Sequence, residues 1–147
     1  MFETIYRWFI SLFGSNLAEH LSGWDEVTGD YSKINIFSLV GIITLIITIV
    51  LCFAYYYLIN HPRFNRWWSW LIVLITAAVI NFGIAFGLTF SDNLNDNISS
   101  DIADISYFNC LGFGFANVII SSLYFVIISL IIKWGSRNAK YSPFIKF

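Results

Sequence analysis

This chain of 147 residues is 58% hydrophobic and 12% charged, with a formal net charge of −1. Soluble globular proteins carry about 25% charged residues, so this composition excludes an ordinary water-soluble domain. The length leaves room for one domain, and the composition predicts that most of it lies in a membrane.

The first sixteen residues, MFETIYRWFISLFGSN, predict a short amphipathic helix. Glu3 and Arg7 interrupt the apolar run where a signal peptide needs a basic start and an unbroken core, so we expect the segment to be retained. On a helix, apolar side chains surround a narrow polar side. The helix is too short to cross a membrane. We expect it either to anchor the chain at the membrane surface or to contact another subunit.

Three uncharged apolar stretches follow, at residues 36–59, 67–90 and 107–132. A helix rises about 1.5 Å per residue, so about 20 apolar residues cross the roughly 30 Å hydrocarbon layer of a bilayer. We therefore predict an all-α integral membrane protein with three transmembrane helices and a short N-terminal amphipathic helix. The predicted divisions are an arm with a polar connection at 1–35, a transmembrane domain at 36–133 and a basic tail at 134–147.

The charges of the connecting segments predict the orientation. All nine acidic residues precede the first span or lie around the second loop, SDNLNDNISSDIAD, whereas the first loop and the tail contain only basic charges. Basic residues in short loops stay on the cytoplasmic side. We expect an integral protein of the bacterial inner membrane with its N-terminus outside and its C-terminus in the cytoplasm. The predicted membrane anchors at the cytoplasmic surface are Arg63, Arg66, Trp67, Trp68, Trp70 and Trp134.

Two segments outside the spans are apolar enough to dock on a partner protein. One is the arm, and the other is the end of the tail, which should also associate with anionic lipid through its basic residues. The docking residues that we predict are Phe2, Ile5, Phe9, Pro143, Phe144 and Phe147.

The polar residues inside the spans are uncharged. Asn81 and Asn117 lie near the middle of the second and third spans, so they can sit at similar depth and hydrogen bond there. Small residues at helical spacing let helix backbones approach closely. In a closed three-helix bundle these stripes all face one axis, whereas in an oligomer some face a neighbouring subunit or a wet lumen. The predicted helix contacts are Gly41, Thr44, Thr48, Asn81, Gly83, Gly87, Asn117 and Ser121.

The placement of the ionisable residues argues against catalysis, ion-coupled transport and metal binding. The spans contain no Asp, Glu, His, Lys or Arg, which disfavours carriers driven by protons or sodium. In the predicted topology His20 and His61 lie on opposite sides of the bilayer, as do Cys52 and Cys110. We therefore expect no enzyme activity, catalytic residue, disulfide, metal site or cofactor. The topology accounts for the basic residues, so we also expect no nucleic-acid partner, and no small-molecule substrate is indicated.

Three apolar runs with a basic final tail, KWGSRNAK, resemble the layout of the three-span class of phage holins. Immunity proteins against pore-forming toxins and small membrane effectors of phage defence have similar layouts. We predict a non-catalytic subunit that assembles with itself or with other membrane proteins, in holin-like or effector-like fashion, with a pore as one form of the assembly. The alternative is a small immunity or regulatory factor that recognises one membrane partner.

Overall fold

A computed structural model of the chain describes residues 2–24, 29–58, 67–94 and 105–133. Within this part of the chain, 86% of residues are helical and none form strands. The predicted fold class is therefore confirmed. The helices, in chain order, are α1 (Phe2–Arg7), α2 (Ile10–Phe13), α3 (Ser15–Leu21), α4 (Ile36–Phe53), α5 (Trp67–Leu94) and α6 (Tyr107–Lys133).

The three long helices match the predicted spans closely. A π-helical segment, Ala54–Leu58, continues α4. The stretches long and apolar enough to cross a membrane are Ile36–Tyr57, Trp67–Ser91 and Tyr107–Ile132, with 22, 25 and 26 residues. At about 1.5 Å per residue each exceeds the roughly 30 Å that a span requires.

The start of α4 is fixed by the side chain of Asn35. Its Oδ1 accepts a hydrogen bond from the backbone N–H of Ser38 at 2.9 Å, which satisfies one of the amides that a helix leaves unpaired at its first turn. The Nδ2 of Asn35 donates to Oε2 of Glu3 at 3.0 Å. The residue that begins the first span therefore also binds the arm.

The arm differs from the single amphipathic helix that the sequence predicts at the membrane surface or against another subunit. It forms three short helices, separated by a turn at 8–9 and by Gly14, whose φ of 84° is a conformation that glycine adopts without strain. One face of these helices is part of the same hydrophobic core as the long helices. The fully buried members of this core cluster include Tyr6, Phe13, Leu17, Leu21, Phe37, Val40, Phe113 and Ile120.

Gly112 explains how the arm can lie so close to α6. A Cβ atom at this position would collide with the backbone carbonyl of Leu12 and would stand 3.2 Å from Cα of Phe13. The obstacle is backbone rather than a flexible side-chain tip, so the arm could not adjust by changing a rotamer. The short helices bury their aromatic face because α6 lacks a side chain at this point.

A second core cluster lies towards the opposite end of the long helices. Its buried members are Cys52, Tyr55, Tyr56, Trp70, Ala77 and Phe125. The bundle therefore has one core that includes the arm and another built from the long helices alone.

Candidate functional site

Asn117 of α6 is the centre of a buried hydrogen-bond network. Its Oδ1 accepts from the phenol of Tyr6 at 2.6 Å and from Oγ1 of Thr44 at 3.1 Å, and its Nδ2 donates to the backbone oxygen of Asn81 at 2.8 Å. Asn117, Tyr6, Thr44 and Asn81 are all fully buried. One amide side chain thus connects α6 to α1, α4 and α5, about ten residues or roughly 15 Å along α6 from its start.

Asn81 contributes its backbone to this network, and its side chain bonds within α5. Nδ2 of Asn81 donates to the backbone oxygen of Ala77 at 3.0 Å. Oδ1 of Asn81 is buried and has no hydrogen-bond partner among the residues that the structure describes. The two asparagines therefore connect α5 and α6 through the side chain of Asn117 and the backbone carbonyl of Asn81. Their side chains do not bond to each other.

Ser129 joins the long helices near the other end of α6. Its Oγ accepts from Nε1 of Trp70 at 2.9 Å and shares a hydrogen bond of 2.6 Å with the hydroxyl of Tyr56. Because Trp70 is only 8% exposed, its ring belongs to the core. This corrects the expectation that Trp70 is a surface anchor. Trp67 and Trp68, by contrast, are 40% and 65% exposed.

The small residues of α4 and α6 face inwards. A Cβ at Gly41 would collide with the ring of Phe2, and one at Gly114 would lie 2.7 Å from Cε2 of Phe82. The polar residues of these stripes also lie in the interior. Those predicted as helix contacts and found buried on α4 and α6 are Thr44, Thr48, Asn117 and Ser121.

The glycines of α5 face outwards instead. Gly83 and Gly87 are exposed, and a Cβ at either position would have no atom within 4 Å. Both line a shallow apolar depression of about 440 Å³ between α5 and α4, together with Ile43, Ile84 and Leu88. In an 18-residue apolar window of α5 only 17% of residues are buried, against 33% in the corresponding windows of α4 and α6. The glycine pair therefore lies on the least enclosed helix.

Glu3 forms a polar cluster where the arm meets the start of α4. Its Oε1 binds Nε of Arg7 at 2.9 Å, and the hydroxyl of Ser22 lies 3.3 Å from the same oxygen. Burial acts to raise the pKa of Glu3, but hydrogen bonds from Asn35 and Arg7, with the Arg7 charge, outweigh it. The pKa of this carboxyl therefore lies below its ordinary value of 4.5, and Glu3 holds the arm as an anion.

The predicted docking residues of the arm, Phe2, Ile5 and Phe9, are partly buried against the first core cluster. Their packing partners are thus in the same chain. The other predicted positions, Arg63, Arg66, Trp134, Pro143, Phe144 and Phe147, lie outside the described residues.

Among the described residues, no group of three or more His, Cys, Asp or Glu side chains could hold a metal ion. Cys52 and Cys110 are both buried. Comparison with protein-family models, with curated proteins and with solved structures gives no match.

Sequence reasoning missed Tyr6, Gly112 and Ser129. Tyr6 lies among the apolar residues of an amphipathic arm, and its sequence separation from Asn117 is 111 residues. Gly112 and Ser129 are single small residues in an apolar helix, where the same residue types also occur without a partner. The tyrosine in an otherwise apolar face was the one available signal, because a buried phenol normally has a hydrogen-bond partner.

Proposed function

We propose that this chain is a non-catalytic subunit of a membrane complex and that it assembles with further copies of itself through the face of α5 that carries Gly83 and Gly87. The observation that supports this most directly is the outward placement of the glycine pair. Glycines on facing helices allow close backbone packing in lipid, where no hydrophobic effect drives the helices together.

The contrast between the helices adds to this argument. The glycines of α4 and α6 lie against other atoms of the protomer, whereas Gly83 and Gly87 of α5 have open space beside them. A glycine in a helix interior costs about 1 kcal/mol relative to alanine. At positions 83 and 87 no contact inside the protomer requires glycine. A contact with the helix of a neighbouring copy would offset the cost of these two glycines.

Assembly does not by itself produce a conducting pore. In the described part of the spans, the amides of Asn81 and Asn117 point into the protomer and the glycine face is apolar. A water-filled lumen needs polar groups along its wall. We therefore propose contact between protomers, and a pore would require the helices to rotate or the interior to open.

The charge distribution in the sequence supports an orientation with the N-terminus outside and the C-terminus in the cytoplasm of a bacterial inner membrane. Cysteines introduced at positions 96 and 63 test it in intact cells. Labelling by an impermeant reagent is expected at 96 alone, and labelling at 63 alone would invert the topology.

The size of the detergent-extracted particle tests the assembly. After subtraction of the detergent, the expected mass is a multiple of 16.9 kDa. Gly83→Leu should shift the particle towards one copy, with association weakened roughly tenfold or more, equivalent to about 1.4 kcal/mol. The fold itself should tolerate this leucine, because no atom lies within 4 Å of the new Cβ.

Val50→Phe is the matched control, since Val50 is 59% exposed on α4. It enlarges an outward residue away from the glycine pair and should leave the particle size unchanged. A single copy of the wild-type chain would contradict self-assembly, and a single copy bound to another protein would favour the regulatory or immunity alternative. Leakage of potassium on expression would indicate a conducting assembly.

A further inference from the structure

A cavity of about 490 Å³ lies where α3, the connection before α4, and the ends of α4 and α5 meet. Its volume is within the range of about 300–1,000 Å³ that is typical of ligand sites. One part of the wall is polar and basic and the remainder is aliphatic. The lining residues are His20, Ser32, Lys33, Ile34, Ile36, Leu39 and Leu88.

The cavity is level with the ends of two spans. Leu39 lies in the first turn of α4, and Leu88 lies three residues before the end of the apolar stretch of α5 at Ser91. In a protein whose long helices cross a bilayer, this level is the boundary between lipid head groups and acyl chains. The polar wall, formed by α3 and the connection, therefore lies on the head-group side of the aliphatic wall.

The basic part of the wall is held in place by backbone contacts. The N–H of Lys33 donates to the carbonyl oxygen of Gly23 at 3.1 Å. Gly23 has a φ of 95°, and a Cβ there would collide with the carbonyl oxygen of Lys33. The connection can thus approach the end of α3 this closely only because position 23 is glycine. This contact fixes the backbone position of Lys33 at the wall of the cavity.

We propose that this cavity binds one anionic phospholipid. The phosphate lies beside the ammonium of Lys33, with the hydroxyl of Ser32 and the imidazole of His20 as further polar neighbours, and one acyl chain packs on Leu39 and Leu88. An ammonium group attracts a phosphodiester anion, and aliphatic side chains match an acyl chain but gain nothing from a water-soluble phosphate. The cavity is formed by α3, the connection, α4 and Leu88 of α5. Leu88 also lines the depression beside Gly83 and Gly87, but neither glycine lines the cavity, so the lipid site does not require assembly through them.

Native mass spectrometry of the full chain, delipidated in a neutral detergent, tests the proposal. The probes are phosphatidylglycerol and phosphatidylcholine with identical oleoyl chains, and glycerol phosphate as the head group alone. We expect one retained phosphatidylglycerol per chain, with occupancy several-fold higher than that of phosphatidylcholine, and no retained glycerol phosphate. Equal retention of the two lipids, or retention of glycerol phosphate, would overturn the proposal.

Variants locate the lipid in the cavity. Lys33→Gln should reduce phosphatidylglycerol to the level of phosphatidylcholine, and Leu39→Trp should reduce both lipids by filling the aliphatic part. Ile46→Trp is the matched control, because Ile46 is an exposed residue of α4 that does not line the cavity. Gly83→Leu should keep the lipid even where it prevents assembly. Equal retention by Leu39→Trp and Ile46→Trp would place the lipid elsewhere and overturn the assignment.

Discussion

In the half of the bundle where the arm packs, Asn117 of α6 bonds to three other elements, whereas towards the opposite end Ser129 of the same helix bonds to two. Both sites use one polar side chain of α6, which connects α5 with α4 at Asn117 and with the π-helical continuation of α4 at Ser129. The additional element at the Asn117 end is α1, through Tyr6. This difference indicates that the arm is a structural part of the bundle at one end only, and that α6 is the helix on which the other elements are assembled.

The largest effect is expected from a substitution that prevents the arm from packing against α6. Gly112→Leu places a side chain where the backbone of Leu12 lies. Overpacking of this kind costs about 1–3 kcal/mol, and the backbone can relieve it only by moving away. Leu17 is fully buried in the wild-type chain. In a chain that also carries Leu17→Cys, Gly112→Leu should make labelling of position 17 by a water-soluble maleimide roughly tenfold faster or more.

Gly87→Leu is the control for this experiment, since it makes the same substitution in a spanning helix at a position with open space. It should leave labelling at position 17 slow. Equal labelling in the two variants would show that the arm does not depend on the space beside Gly112.

Removing the amide at the Asn117 end should have the next largest effect. Asn117→Leu deletes three hydrogen bonds, which average about 0.6 kcal/mol each within membranes, so the expected loss of stability is about 2 kcal/mol. Ser129→Ala deletes two and should cost about 1 kcal/mol. Unfolding of both variants in a denaturing detergent would measure the difference.

A double-mutant comparison identifies the contribution of the arm. Tyr6→Phe should destabilise the wild-type chain but add little to Asn117→Leu, because the bond that it removes is already absent. Full additivity of the two substitutions, or a larger loss from Ser129→Ala than from Asn117→Leu, would contradict the proposed role of Asn117.

The smallest effect is expected at the Glu3 cluster, and it should depend on pH. Because the folded protein holds the pKa of Glu3 below 4.5, its contribution is complete above pH 4.5 and is lost as pH falls through the lower, folded value. The Glu3 side chain is 34% exposed, so the contribution should stay below about 1 kcal/mol. The difference in Tm between wild type and Glu3→Gln should shrink on acidification, and a difference that grows on acidification would reverse the assigned sign.

The sequence predicts the three spans well because the signal is local: each is a long uncharged run whose length matches a bilayer. It also indicates Asn81 and Asn117, because an amide in an apolar run is conspicuous. It does not predict which way a small residue faces, since Gly114 packs against Phe82 while Gly83 in a similar context has no neighbour.

The arm could not be placed from the sequence for a related reason. Its position depends on the fit between the backbone near Leu12 and a glycine one hundred residues later, and amphipathicity alone is equally compatible with a membrane surface. Trp70 illustrates the same limit. A tryptophan near the end of a span is typical of the head-group region, but a hydrogen bond to Ser129, 59 residues away, places this one in the core.

Disulfide cross-linking in native membranes tests most directly whether α5 is the contact between copies. In a chain with Cys52→Ala and Cys110→Ala, Gly83→Cys should form on oxidation a covalent species of about twice 16.9 kDa. Ile127→Cys, at a residue 54% exposed on α6, should remain a single chain. Cross-linking through position 127 without cross-linking through position 83 would contradict assembly through the glycine face.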